Sequence, residues 1–458
     1  MCIRDSFSRD PLLVEAYRRG DDIHTLTASQ VFGVPPLMVT PDHRRQAKVV
    51  NFGIVYGLSP FGLSQNLGIE PAEAKQFIAN YFEQYKGCLL YTSKVELLRE
   101  LTATQGVVER KTTIPILSNY LFEAADDKLS LTATDLDLSL RTSCNAKVKK
   151  EGSCTIPARK LYDYVKLLPD ADITIKLLDN HWVSIRCGRS NTKMVGMAKS
   201  NFPSLPVFPT AGVVKIPGQV LRGLIARTGF AISSEESRYT LNGALMLLKP
   251  ESITMVATDG HRLAHCERSG EKFEGVSGEM KTLVPKKAMD ELKSLLDSTD
   301  AETVEFAKDE STLFFRIGSR LLTSRQLTGQ FPNFEAVLPK DNNKSIALNS
   351  ADLNSAILRV AQFADERSRA VRLKLEKGEV KLSASSTEAG ESEDSIEAPY
   401  DGETLTIGFN AQYLVDFLKA AGTSEVRLEL KDSQSAGQLR PAEGDDYKYR
   451  YIVMPMRI

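Results

Sequence analysis

The chain has 458 residues, with 58 Lys and Arg against 59 Asp and Glu, for a formal net charge of −1. At roughly 100–200 residues per domain that length makes about three or four domains, and 42% hydrophobic with 26% charged residues is a composition that can build real cores. The neutral balance excludes a wholesale basic coat for nucleic acid but not a local basic face, and no apolar stretch reaches the ~18 residues of a membrane span.

Residues 10–86 read as helices and short loops. PLLVEAYRRG closes on Gly20 after two arginines, a helix C-terminal signature. TPDHRRQAKVVNFGIVYG has Thr40 as N-cap and Pro41 at the first helical position. EPAEAKQFIANYFEQYKG is acidic at its start and basic at its end, as the helix dipole favours. From about residue 94 onward, strands alternate with amphipathic helices, as if two proteins were joined. Two hexapeptides, MCIRDS at 1–6 and CLLYTS at 88–93, belong to neither pattern. They resemble translated adaptor sequence; an ordinary linker is the alternative, although linkers are more often rich in Gly, Ser or Pro.

The long part repeats itself. LSLTATDLDLSLRT (129–142) matches ITMVATDGHRLAH (253–265), pairing Asp135 with Asp259, and a degenerate third copy is VKLSASSTEAGES (380–392), with Ser386 in the aspartate's place. A helix follows in each copy, at CTIPARKLYDYVKLLP, TLVPKKAMDELKSLL and LTIGFNAQYLVDFLKAAG. An earlier helix also recurs, at VELLRELTATQGVV, QVLRGLIARTGFAI and ADLNSAILRVAQFA. The period is about 125 residues, so each copy is a whole domain and not a solenoid repeat. Helix, strands, helix, strands is an α+β order. The reading is therefore α+β, with three tandem domains of similar fold at 94–210, 211–340 and 341–458 behind a mostly α-helical N-terminal fragment at 1–93.

No phosphate-binding Gly loop, no GxSxG and no HExxH occurs, so no catalytic residues and no metal are assigned. His261 and His265 have i, i+4 spacing, but the segment follows a strand and a turn at Asp259-Gly260, so a polar loop is the better reading than a metal site. The six Cys form no CxxC pair, and no secretory signal pattern opens the chain. Both fit a reducing cytoplasm. Charges on the expected helices at 94–111, 157–169 and 217–231 lean basic, including Arg222 and Arg227 with no acid on their helix, while 285–297 sets Lys286, Lys287 and Lys293 against three acids. Basic helices in an otherwise acidic body suggest a surface that faces phosphates loosely, without base readout.

TATDLDLSL, ATDGHRLA, RYTLNGAL, FPNFEAVLP and the terminal VMPMRI, in this order, closely resemble the bacterial sliding clamp, the beta subunit of DNA polymerase III, over residues 94–458. The resemblance implies clamp-type domains whose helices line a ring and whose sheets lie outside. It implies a head-to-tail homodimer that encircles double-stranded DNA during replication, joined through edge strands of the first and third domains. It also implies a processivity factor that is not an enzyme, needs no cofactor and touches no membrane. By matching position, Lys111, Arg189, Lys286 and Lys287 are the DNA contacts. Short peptides from the replicative polymerase and the clamp loader are expected in a pocket between the second and third domains. The matching positions are Leu241, Thr258, Gly260, His261, Arg262 and Leu263, then Pro339 and Tyr413, then Ile452, Met454, Pro455, Met456 and Arg457. There Met and Pro would make an adaptable apolar groove anchored by Tyr413 and rimmed by Arg.

RRQAKVVNFGIVYG (44–57) resembles the fingers helix of family A DNA polymerases, and the likeness runs from about 9 to 86. Arg44, Lys48, Phe52 and Tyr56 fall on one helical stripe; in that family such residues hold the incoming nucleotide. The carboxylates that hold two metal ions in that family are missing, so the stripe is read as a vestigial nucleotide-binding helix. A polymerase–clamp fusion enzyme and a protein-interaction scaffold that encircles no DNA are the alternatives.

Overall fold

The structure is a computed structural model that describes residues 22–32, 34–55, 64–65, 70, 74, 89–109, 112–235, 237–444 and 446–457. Two compact units separate, Met1–Asp135 with Arg141–Ser204 and Leu136–Leu140 with Leu205–Ile458.

The first unit holds α1 (Ile23–Phe32) and α2 (Pro41–Val55). Thr40 caps α2 as expected, its Oγ1 accepting the His43 N–H at 3.2 Å, with Pro41 next in line. The helix expected to end at Gly20 lies outside the described residues, and so does nearly all of the one expected after Glu70. β1 (Leu89–Ser93) and α3 (Lys94–Ala103) follow. The helix expected over 94–111 stops at Ala103, where Thr104 caps it and turns take over. Then come β2 (Asn119–Ala125), β3 (Lys128–Thr134), β4 (Leu138–Asn145), β5 (Lys147–Lys150), β6 (Gly152–Pro157), α4 (Ala158–Leu167), β7 (Asp172–Leu177), β8 (Trp182–Cys187) and β9 (Ser190–Val195). One sheet is ordered β5-β1-β7-β8-β9, and a second run is β6-β2-β3-β4.

Five residues of the seam hexapeptide, LLYTS, are paired into a sheet. They form β1, antiparallel to β7 from Leu89↔Lys176 to Ser93↔Asp172. Leu90 (2% exposed) and Thr92 are buried, and Tyr91 and Ser93 are half-buried. The Thr92 hydroxyl donates to the Asn145 carbonyl at 2.8 Å. Backbone pairing tolerates almost any residue that alternates, and Leu-Leu-Tyr-Thr-Ser alternates well enough.

The second unit runs β10 (Val214–Pro217), α5 (Gly218–Thr228), β11 (Gly243–Lys249), β12 (Ser252–Thr258), β13 (Arg262–Ser269), β14 (Met280–Pro285), α6 (Lys286–Asp297), β15 (Thr303–Lys308), β16 (Thr312–Ile317) and β17 (Arg320–Arg325). The same order then repeats: β18 (Lys344–Asn349), α7 (Ser350–Val360), β19 (Ala370–Glu376), β20 (Glu379–Ser386), β21 (Gly390–Glu397), β22 (Leu405–Asn410), α8 (Ala411–Ala421), β23 (Glu425–Leu430), β24 (Gly437–Pro441) and β25 (Lys448–Val453). Each copy therefore opens on a strand ahead of its first helix, and β1, β10 and β18 are counterparts. That opening strand is absent from the helix-first order read from the sequence.

An eight-stranded sheet, β14-β11-β12-β13-β25-β24-β23-β18, is continuous through the second and third copies. Its seam is the antiparallel pair β13–β25, in register from Arg262↔Val453 to Glu267↔Lys448. Further runs are β10-β15-β16-β17 and β21-β20-β19-β22. Helices bury one face each: Leu221, Leu224 and Ile225 on α5, Met289, Leu292 and Leu296 on α6, Leu414, Phe417 and Leu418 on α8. At ~1.5–3 kcal/mol per large apolar side chain, such faces supply most of the drive to fold.

The paired aspartates of the first two copies occupy equivalent turns. The next residue is left-handed in both, Leu136 at φ 85° and Gly260 at φ 88°.

Candidate functional site

The seam of the eight-stranded sheet is where the expected pocket residues gather. Leu241, Leu245, Val256, Leu263, Leu283, Phe331 and Ile452 form one buried cluster. Leu263 and Ile452 face each other across β13 and β25. Chain 327–338 crosses this cluster with Leu327, Phe334, Val337 and Leu338 and delivers Pro339, half-buried, to its edge.

The turn before β13 is held by side chains bonded to its backbone. Asp259 Oδ1 accepts the N–H groups of His261 (2.9 Å) and Arg262 (3.0 Å). The Thr258 hydroxyl donates to the Arg262 carbonyl at 2.6 Å and accepts the Gly260 N–H at 3.1 Å. Arg238 lies across Gly260, donating to the Asp259 carbonyl at 2.7 Å. A Cβ at Gly260 would stand 2.5 Å from the end of the movable Arg238 side chain, so it is the left-handed φ that favours glycine here.

The C-terminal tail is stitched on both sides. The Met454 N–H donates to the His261 carbonyl (2.9 Å) and the Met456 N–H to the Gly408 carbonyl (2.8 Å). Met454 is left 41% exposed, Pro455 and Met456 are half-buried and Arg457 is exposed. Tyr413, on the first turn of α8, is half-buried, and its carbonyl accepts the Tyr451 hydroxyl at 3.0 Å. Burial raises the Tyr413 phenol above its ordinary pKa, so it stays a neutral, amphipathic wall. Of the expected positions, Leu241, Leu263 and Ile452 share one apolar cluster, Met454 is tied to His261, and Thr258, Gly260 and Arg262 belong to the bonded turn.

Arg262 departs from its expected place on the rim. Its side chain is only 10% exposed. Nε donates to Asp259 Oδ2 (2.9 Å), Nη1 to Asp416 Oδ2 (2.7 Å) and Nη2 to the Phe230 carbonyl (2.7 Å). The guanidinium stacks 4.4 Å from the centre of the Tyr413 ring. Burial opposes its charge, but Tyr451, Asp416 and Asp259 together hold its pKa above the ordinary arginine value. It backs the wall and cannot reach out to a ligand. Asp259, Phe230, Arg238 and Asp416 were missed by sequence reasoning. Asp416 could have been found, because it follows Tyr413 at i+3 and so shares its helical face.

His261 and His265 do not form a ligand pair. His261 is in the turn and His265 is on β13, not in a loop, where four residues of strand separate them by ~13 Å. Burial lowers the His265 pKa, and its ring packs against Phe334. Among the described residues, no group of His, Cys, Asp and Glu is placed to hold a metal ion, and no helix is long and apolar enough to cross a membrane.

The basic positions are scattered. Lys111 lies outside the described residues. Arg189 is exposed on the β8–β9 hairpin turn, not on a helix. Lys286 and Lys287 open α6, with Lys286 Nζ 3.3 Å from Asp290. The two arginines of α5 are engaged inside the chain, contrary to the charge count from sequence. Arg222 donates to the Leu296 carbonyl and stands 3.5 Å from Asp297, and Arg227 stacks 4.3 Å from the Tyr447 ring. On α4, by contrast, Arg159, Lys160 and Lys166 are exposed.

In the N-terminal segment, Arg44 is bonded to Asp22, whose carboxyl that contact pulls down to about 2. Lys48 is exposed. The side chain of Phe52 and all of Tyr56 lie outside the described residues.

Comparison with known proteins adds the following. Family models described as the N-terminal, central and C-terminal domains of the DNA polymerase III beta subunit match residues 90–206, 215–333 and 335–457. A model described as DNA polymerase family A matches 2–143 and overlaps the first of these; the overlap contains β1, α3, β2 and β3. A beta sliding clamp of Pseudomonas putida is 38% identical over 365 residues, covering 79% of this chain and 98% of that protein. One from Caulobacter vibrioides is 36% identical over 375 residues, covering 81% and 100%. A crystal structure of the Pseudomonas aeruginosa sliding clamp bound to griselimycin superposes with a TM-score of 0.76 at 35% identity, covering 81% of this chain and all of that one.

Proposed function

The chain belongs to the bacterial beta sliding clamp family, and from that premise we propose how its surfaces divide the work. It is a ring-forming processivity factor of DNA replication and not an enzyme. Residues 94–210, 211–340 and 341–458 form its three domains, with β1 added to the first. Two protomers meet head to tail through opposite edges. The edge strand β9 carries Lys193 beside Arg189, while the edge strand β21 carries Glu391, Glu393, Asp394 and Glu397. Unpaired backbone groups and opposite charge favour such a junction, and two identical heterologous joints close a ring.

Within the ring, Lys111, Lys286, Lys287 and Arg189 are the proposed contacts to the duplex, with the exposed Arg159, Lys160 and Lys166 of α4 as further candidates. A few dispersed cations suit the task, because each phosphate neutralised tightens the grip and a tight grip would stop sliding. The groove at the β13–β25 seam takes apolar peptides of the replicative polymerase and the clamp loader. Met454, Pro455 and Met456 adapt to the occupant over the floor of Leu241, Leu263 and Ile452, and Tyr413 and Pro339 wall it. We expect griselimycin to seat in the same groove. The observation that carries this reading is the seam itself, where Leu241, Leu263 and Ile452 share one buried cluster and the Met454 N–H is bonded to the His261 carbonyl.

Residues 9–86 are proposed to be a passenger piece of a family A polymerase. Arg44, Lys48, Phe52 and Tyr56 keep the nucleotide stripe, but the metal-holding carboxylates of that family are missing. The protein works in the cytoplasm beside the chromosome. Primer extension by a bacterial replicative polymerase tests the reading. Adding the full chain and a loader should lengthen products on primed circular template, whereas unchanged product lengths would refute it.

A further inference from the structure

Asp416 is not among the expected pocket positions, yet the groove's wall depends on it. It sits on α8 one turn beyond Tyr413. Its Oδ2 accepts Arg262 Nη1 at 2.7 Å, and its Oδ1 accepts Gln412 Nε2 at 2.7 Å. Arg262 comes from the other domain of the seam, at the start of β13, and is tied there to Asp259. The guanidinium therefore has two anchors of its own domain, Asp259 and the Phe230 carbonyl, and one on α8. Its flat face lies 4.4 Å from the centre of the Tyr413 ring. A planar fork gripped at three corners has no freedom to rotate, so the ring stacked on it is fixed as well.

We propose that Asp416 is a positioning residue of the partner groove: by capturing Arg262 it holds the Tyr413 ring in place and locks the third domain's wall to the second domain's floor. This rests on reading the groove as the peptide site. Asp416 touches no ligand and acts only through Arg262 and Tyr413. Removing the carboxylate leaves a buried Nη1 without its partner and lets the guanidinium swing toward Asp259, away from the ring. A docked peptide then meets a mobile wall and must order it on binding.

The test is a double-mutant cycle on the full chain, with griselimycin as the probe and its Kd read by calorimetry. Asp416→Ala should weaken the probe by about tenfold, and Asp416→Asn, which keeps the volume and one oxygen, by about threefold. Tyr413→Ala should weaken it at least tenfold by itself. In the Tyr413→Ala background the further loss from either Asp416 change should shrink below twofold, because the pair acts as one unit. If both Asp416 variants bind like the parent, or lose equally with and without Tyr413, the positioning role is wrong while the groove stands. If Tyr413→Ala itself leaves the Kd unchanged, the groove reading falls and takes this proposal with it. Asp416→Asn keeps the cycle decisive should the alanine variant fail to fold.

Discussion

Arg262 and Arg44 are both arginines held by aspartates, and the contrast between them separates a site from a motif. Arg262 is 10% exposed and links a turn, a helix and a backbone carbonyl from two domains, with an apolar floor and an exposed methionine beside it. Arg44 lies on a helix that matches a nucleotide-binding stripe, yet its side chain is 48% exposed and is taken up by Asp22, one helix earlier. Recognition chemistry needs elements that converge on one place. The stripe supplies the residue types, whereas the β13–β25 seam supplies the convergence.

The contrast can be broken first by truncation. Removing residues 1–88 should leave the clamp's melting temperature within ~2 °C, because β1 is kept. Removing 1–93 deletes β1, opens the sheet between β5 and β7, and should lower it by ~10 °C or more or prevent folding. Equal outcomes in calorimetry would mean that the seam hexapeptide is a mere linker after all.

Next in size is Gly223→Val. A Cβ at Gly223 would stand 2.2 Å from the Tyr447 hydroxyl, which bridges to the Gln219 and Val220 carbonyls of α5. We expect a cost of about 1–3 kcal/mol in denaturant unfolding, because the Tyr447 ring must swing away from α5 and give up its bonds. A neutral result would show that the two domains of the second unit do not need this contact.

Glu291 sharpens the account through pH. It is 8% exposed on the apolar face of α6, and burial raises its carboxyl to about 7 from 4.5. Between those values the folded chain keeps a proton that the unfolded chain has released, so stability falls as pH rises through 4.5–7. Glu291→Gln should then stabilise by about 1–3 kcal/mol at pH 8 and by almost nothing near pH 4. A pH-independent difference would mean the carboxyl is hydrated. The smallest effect is expected at Arg44→Ala. Breaking so exposed a pair should leave the unfolding midpoint almost unmoved, and griselimycin affinity should not change.

The sequence made much of this legible. The paired Asp135 and Asp259 disclosed the repeat because a tight hairpin after a buried strand restricts residue choice. VMPMRI and ATDGHRLA are compact strings that end up side by side, β25 paired to β13 and the Met454 N–H bonded to the His261 carbonyl. Asp416 could be reached only as Tyr413's i+3 neighbour on α8, and Phe230 not at all, since nothing local ties either to Arg262, 154 and 32 residues away. The engagement of Arg222 and Arg227 was hidden for the same reason: counting charge on a helix does not say which charges meet a partner across it. The strand at 89–93 was missed because its composition looked foreign, while strand pairing is specified by backbone and alternation. Leu136 at φ 85° shows the limit from the other side. Its counterpart is glycine, and the leucine gives no local warning of a left-handed turn that costs ~1–2 kcal/mol.

The central claim is that the chain holds DNA by enclosing it. The direct measurement is retention of the full chain, after loading with a bacterial clamp loader and ATP, on nicked circular duplex in gel filtration at high salt. Enclosure predicts that it stays with the circle and is lost within minutes once a restriction enzyme makes the DNA linear. Equal retention on both forms, or loss from both, would contradict it.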